Sequence, residues 1–255
     1  MSLYNFSNPW LVAIGLNALL LAIVWLAPKK LLTQNGILNA WLLGVLIWGT
    51  LGLRGYAVVC VYFVVGSAVT RIGMAEKEAQ GIAEKRSGAR GPENVWGSAF
   101  TAALCALGVG IINWQGSDVF LSSLLILGYV ASFCTKLSDT CASEVGKAYG
   151  KRTFLITTLQ PVPRGTEGAV SLEGTLAGIF ASVVLAILGW SLGLIDVWGI
   201  MWCVLAAFIA TNLESVIGAT LQSRWQWLTN ELVNVLNTLI GAAAAMLFAW
   251  IQASI

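Results

Sequence analysis

The chain has 255 residues, 58% hydrophobic and 10% charged, with a formal net charge of +2 and no histidine. A water-soluble domain carries charge on about a quarter of its residues, so that class is excluded, and a net charge this small offers nothing to a nucleic acid. Without histidine there is no Ser-His triad, imidazole base or His-ligated zinc, and no GxxxxGK(S/T) loop occurs, which excludes a soluble P-loop nucleotide site.

An apolar run of about 20 residues crosses about 30 Å of hydrocarbon. Such runs fall at 10–27, 36–53, 56–70, 95–112, 119–136, 169–194, 197–214 and 231–252. They predict an all-α polytopic membrane bundle of eight transmembrane helices, seven if the short third run does not cross, in a single integral membrane domain over 1–255. The run from Trp10 has no basic leader or small-residue cleavage site and is expected to be a retained helix.

Basic residues set orientation. Lys29 and Lys30 follow the first run, and Arg71, Lys77, Lys85, Arg86 and Arg90 follow the third. Lys136, Lys147, Lys151, Arg152 and Arg164 follow the fifth, and Arg224 follows the seventh. In an eight-crossing bundle these loops share one side, which holds thirteen of the fourteen Lys and Arg and leaves Arg54 alone opposite. That side is expected to be cytoplasmic, or its organellar equivalent, with both termini on the other.

Two polar stretches, 71–94 and 136–168, are expected to be functional loops on the basic side. The first starts as a charged helix and breaks at Gly91-Pro92; a solvated connector would read the same way. The second carries Phe, Leu, Ile and two prolines among its charges, too long for a bare connection and too apolar for disorder.

At about 100° per residue, the start of that second stretch places Lys136, Asp139, Thr140, Ser143, Glu144 and Lys147 on one helix face. Carboxylates beside hydroxyls suit Mg²⁺, a hard cation held by one or two carboxylates plus substrate phosphates. A solvated face would look similar, but the hydroxyls and the direct continuation from a membrane run favour a site. Similar stripes lie at Asn94, Ser98, Thr101 and Cys105; at Thr211, Glu214, Ser215, Gly218 and Gln222; and at Asn230, Asn234, Asn237, Thr238 and Gly241. Small and amide side chains at helical spacing also pack membrane helices together, a reading that stays open for Ser98, Thr101, Gly218 and Gly241. Glu214 resists it, because an ionisable group at membrane depth is costly and by default functional.

Ahead of the sixth run, PVPRGTEGAVSLEGT offers Arg164 as a fork for phosphate oxygens and Gly165 and Gly168 for close backbone approach. Thr166, Ser171 and Glu173 surround a helix opening whose free N–H groups suit an anion; Thr166 alone reads as an ordinary N-cap. On this topology every such group falls at the same end of its helix. They converge on one shallow basin at the basic side, with apolar walls below. A transporter would more often place polar groups at midplane on broken helices. An enzyme acting on a lipid with a phosphate head and a long tail would need this layout.

The segments RGPENVWGS, KLSDTCASEVGKAYGKRTFLITTLQPVPRGTEGAVSLEGTLAG, NLESVIGATLQ and WLTNELVNVLNTLIGA resemble the membrane phytyl-phosphate kinases of the vitamin E pathway. That family also includes the animal transmembrane protein 19. The likeness runs over roughly 36–250 and is closer to photosynthetic members, notably in NLESVIGATLQ and TNELVN. It implies CTP-dependent phosphorylation of phytyl monophosphate to the diphosphate, with Mg²⁺, in phytol salvage for tocopherol and phylloquinone synthesis. With no transit peptide in this sequence, it implies a cyanobacterial membrane protein or a trimmed chloroplast one. On this reading Asp139, Glu144 and Glu214 hold Mg²⁺, while Lys136, Arg90, Lys151 and Arg164 bind phosphates and offset their charge. Asp139, Glu144, Lys136 and Arg164 form the catalytic set. Asn94, Asn230 and Asn234 orient phosphate or nucleotide groups, and Ser143, Thr166, Ser171, Glu173, Ser215 and Gln222 complete the binding set. A prenol kinase or membrane cytidylyltransferase, and a transporter of lipids or small molecules, are the alternatives.

Overall fold

The computed structural model describes residues 8–26, 30–116, 118–222, 224–225 and 227–254; Lys29 lies outside them. Among these residues the chain forms α1 (Pro9–Leu26), α2 (Gln34–Thr70), the short α3 (Met74–Ala79), α4 (Pro92–Gln115) and α5 (Val119–Tyr149). After β1 (Thr153–Leu155) and β2 (Ala169–Ser171) come α6 (Leu172–Ser191), α7 (Val197–Ile217) and α8 (Asn230–Ser254). Side-chain caps start most of the long helices. Thr33, Asp118, Ser171 and Asp196 each accept a hydrogen bond from the backbone N–H three residues on, satisfying a donor that a helix start would otherwise leave unpaired.

Seven helices, all but α3, are long and apolar enough to cross a membrane, and α2 does so twice. Its 37 residues would stretch about 55 Å if straight. Yet Arg71 Nη2 donates to Lys30 O at 3.2 Å, and Gly36 and Gly66 both press against Arg90. The chain therefore turns back at Gly52, where φ +63° and ψ −159° leave the helix for a region nearly closed to residues with a Cβ. The runs expected at 36–53 and 56–70 are the arms of this helical hairpin, so the seven candidate helices offer eight crossings among the described residues. Nothing lies within 4 Å of the place a Gly52 Cβ would occupy, so the cost of adding one is backbone strain alone. Gly52→Ala is expected to lose about 1–3 kcal/mol, seen as a lower thermal midpoint in detergent. An unmoved midpoint would show that the turn tolerates a side chain.

The bundle has two unlike ends. Trp10 of α1 packs on Gly49 beside the Gly52 turn, and Arg54 lies against Gly193 in the α6–α7 connection. Trp202 Nε1 near the start of α7 donates to Gln252 Oε1 near the end of α8 at 2.9 Å. The Pro9 and Ser254 ends therefore share the face that holds Gly52. The polar connections α2–α4, α5–α6 and α7–α8 gather at the other.

At the centre stands α5, packed against α2, α4, α6, α7 and α8, with every residue from Leu127 to Cys141 buried. Gly174 and Gly178 of α6 bring that helix onto the Ala142 and Ser138 carbonyls, the close backbone approach that small residues permit. The direct continuation expected at 136 is present: α5 is one helix of 31 residues, about 46 Å long. The polar stretch 136–168 is thus helix for its first half and a hairpin for the rest. Antiparallel pairing of Thr153 with Ser171 and Leu155 with Ala169 delays the sixth crossing to Leu172. Ser171 is its cap, whereas the Thr166 hydroxyl donates to Pro163 O at 2.8 Å.

Candidate active site

The polar end of the bundle encloses a cavity of about 420 Å³. Lys136, Asp139, Ser143 and Glu144 of α5 line it, with Arg90, Asn94, Thr166, Ser171, Glu214, Ser215, Asn230 and Asn234 from the surrounding elements. The convergence expected from helix ends is therefore present for most of the predicted set.

Its floor is a charged cluster joining three helices. Lys136 Nζ donates to Asp139 Oδ2 at 2.5 Å and to Asn234 Oδ1 at 2.6 Å, tying α5 to α8. The Glu214 carboxyl of α7 faces that of Asp139. The Lys136 and Asp139 side chains are only 9% and 11% exposed. Two facing carboxyl groups share one ammonium in a nearly dry site, where water screens little and the pair cannot both carry charge unaided. A further cation would let both ionise.

Glu144 stands apart from this cluster. Five residues separate it from Asp139, about 140° around the helix, and its carboxylate is ion-paired with Lys77 of α3. Lys147 Nζ lies 3.4 Å from its other oxygen. Among the described residues no three carboxylates or thiols gather as a ready metal cluster, so the expected three-carboxylate set resolves into a facing pair plus one. Lys77, 1% exposed, also donates to Thr70 O at 2.8 Å. Sequence reasoning missed its role, because a lysine within MAEKEA reads as part of a solvated face. Its burial comes from the contact of Gly73, at φ +61°, with Ala148 of α5, which seats α3 on the central helix.

Arg90 is held from two directions. Its backbone N–H donates to Leu31 O and its carbonyl accepts from Thr33 N–H, both at 3.0 Å. Its Nη1 donates to Tyr62 OH at 2.8 Å, and the guanidinium lies 5.3 Å and 5.9 Å from the Tyr62 and Phe63 ring centres, a cation–π seat. Asn94 Oδ1 accepts from Gly91 N–H at 3.1 Å and Arg86 Nη2 at 2.9 Å, so its amide N–H₂ is the group left for a ligand. At the rim, Ile82 presses on Gly165, and Gly168 presses on Ser215 and Ala219. Both glycines have φ near +80° and meet contacts that leave no room for a side chain.

Four predicted residues do not line the cavity. Arg164 Nη1 donates to Ala148 O at 3.2 Å, closing the last turn of α5 as basic side chains do at helix ends. Lys151 is exposed. Glu173 lies in the first turn of α6. Gln222 ends a π-helical turn, Gly218–Gln222, with its side-chain oxygen beside Gly218 and outside the cavity lining. Deeper members of the stripes pack helices together: Thr101 bonds Thr238 at 2.9 Å, Cys105 touches Gly128, and Gly241 presses on Thr135. Asn237 is 1% exposed, and neither its amide oxygen nor its nitrogen has a partner among the described residues.

The family described as integral membrane protein DUF92 matches residues 17–242. An uncharacterized membrane protein of Synechocystis is 69% identical over 244 residues, which cover 95% of this chain and 92% of that protein. The Arabidopsis thaliana protein VTE6, chloroplastic, is 46% identical over 250 residues, 97% of this chain and 74% of its own length. An uncharacterized membrane protein of Methanocaldococcus jannaschii is 29% identical over 242 residues, 93% of this chain and 94% of its own. No solved structure matches.

Proposed function

The chain belongs to the DUF92 family of integral membrane proteins, and from that membership and the chemistry of the cavity we propose that it is a phytyl-phosphate kinase of the vitamin E pathway. It would move the γ-phosphoryl group of CTP onto phytyl monophosphate, giving phytyl diphosphate and CDP. The observation that carries this reading is the Lys136–Asp139–Glu214 cluster on the floor of a polar cavity at one end of an apolar bundle. Supporting it are the segments that resemble membrane phytyl-phosphate kinases and the extensive identity to a chloroplastic protein. The cavity end also gathers the basic connections, which supports reading it as the cytoplasmic or stromal face, where a nucleotide is available.

Phosphoryl transfer asks for positioning and charge neutralisation more than for covalent help. The acceptor is a phosphate monoester whose oxygen is already ionised, so no general base is required. Its bond to the γ-phosphorus forms as the bridge to the β-phosphate breaks and CDP departs. Asp139 and Glu214 would hold Mg²⁺, since a facing oxygen-only pair that a cation would let ionise suits a hard ion that also takes phosphate oxygens. Bound there, the ion would neutralise the nucleotide's phosphates. Lys136, aimed by Asp139 and Asn234, offsets the charge brought by two anionic substrates. Arg90 offers its remaining donors to phosphate oxygens, and Asn94, Asn230, Ser143 and Ser215 orient them. Glu144, committed to Lys77, shapes the wall.

The test is transfer from labelled CTP by purified protein with Mg²⁺ and phytyl monophosphate. The γ-label is expected in the lipid and the α-label in CDP. An α-label in the lipid with release of pyrophosphate would make the protein a cytidylyltransferase. Phosphorylation of free phytol in preference would make it a prenol kinase. Absence of transfer from any nucleoside triphosphate would overturn the enzyme reading in favour of transport.

A further inference from the structure

The cavity lining is mixed, with Ile82 and Val170 among the rim and hairpin residues, but two of its apolar members stand on the lateral wall. These are Ile179 of α6 and Phe208 of α7, large side chains on membrane-crossing helices. Ile179 lies seven residues into α6 and Phe208 nine residues before the end of α7, about 10 and 14 Å below the polar end along each helix axis. Ile179 thus reaches the hydrocarbon boundary and Phe208 lies inside it. Phe208 is 44% exposed while it lines the cavity, so it stands on a lip with one side on the basin and the other on the bilayer. The neighbouring outward residues Leu176, Phe180 and Leu205 are exposed, as a lipid-facing surface requires. One turn nearer the polar end, Thr175 and Asn212 line the same wall.

We propose that this α6–α7 cleft seats the isoprenoid tail, which leaves the basin sideways into the bilayer, and that Ile179 and Phe208 set its permitted length and shape. The inference rests on the phosphotransferase reading and names the subsite of its acceptor. A cavity of about 420 Å³ that takes a nucleoside triphosphate and a second phosphate has no room for a phytyl chain as well. The tail already lies in hydrocarbon before it binds, so the cleft gains little from burying apolar surface and discriminates by packing instead. Polar groups grip the phosphate at the interface while the tail never crosses water.

The test compares kcat/KM for phytyl monophosphate and isopentenyl monophosphate, the second with a tail too short to extend through the cleft into the bilayer. Ile179→Trp, which narrows the opening, is expected to lower the phytyl-to-isopentenyl ratio by about tenfold or more, the scale of steric discrimination in an apolar pocket. Phe208→Ala, which widens it, is expected to raise the ratio for a bulkier branched tail over phytyl. Ratios unmoved in both variants would overturn the assignment. A second measurement needs no turnover: a long-chain alkyl monophosphate with a diazirine in its tail is photoactivated on wild-type protein with and without excess phytyl monophosphate. Competable label in the α6 and α7 peptides supports the cleft, even if no phosphoryl transfer is found, in which case only the reaction reading falls. Competable label confined to other helices overturns the cleft, whatever the activity.

Discussion

Asp139→Asn should lower kcat for phosphoryl transfer by about 10²–10³-fold, the scale for removing one preorganised charge-stabilising group, while the protein stays folded. The reason lies in what the side chain faces. Asparagine keeps an oxygen to accept from Lys136 Nζ, now 2.5 Å from Asp139, so the tie from α5 to α8 through Asn234 survives. Asparagine can also keep a hydrogen bond to the Glu214 carboxyl opposite, and Glu214 remains beside Lys136 as a counter-charge. What disappears is the second carboxyl group of the facing pair, and with it the capacity to hold a divalent cation between two helices. Labelled-CTP transfer and a thermal scan on the same preparation check the two halves together. Full activity in the variant would remove Asp139 from the metal assignment.

Lys77→Met should destabilise the protein by about 3–5 kcal/mol, because it strands a buried carboxylate without its partner. Glu144 is 2% exposed and has only the more distant Lys147 as a second cation. The effect should spread into the site, since α3 has only six residues and cannot hold its own shape without tertiary contacts. The rim residues Gly81–Glu84 and Gly88–Arg90 follow it directly. Replacing both partners, Lys77→Met with Glu144→Leu, should recover much of the loss, as it does when buried ion pairs give way to apolar groups of similar size. A double variant no more stable than the single one would show that the pair is not what anchors α3.

Much of this architecture is legible because the bilayer imposes it. Apolar runs of fixed length, basic connections on one side and polar residues at helix ends leave little choice of topology. What escapes is decided by contacts distant in sequence. The three-residue strands TFL and AVS are too short to carry a period and gain their identity only by pairing. The guanidinium of Arg164 suits a phosphate and the carbonyl of Ala148 equally, and nothing local tells them apart. Gln222 obeys the α-helical spacing in sequence but sits on a π-turn. Lys77 looks like its charged neighbours until α5 covers it.

The length of α5 ties the site to the thickness of its membrane. Asp139 lies twenty residues along from Val119, about 30 Å of rise, close to the full hydrocarbon thickness. In a bilayer of that thickness Asp139 lies at the hydrocarbon boundary, level with Ile179, whose neighbour Gly178 packs on the Ser138 carbonyl. A thicker bilayer submerges the carboxylates, and a thinner one lifts the Ile179–Phe208 opening into water. Mismatch costs fractions of a kcal/mol per Å, so activity is expected to vary with acyl-chain length when the protein is reconstituted in bilayers of different thickness.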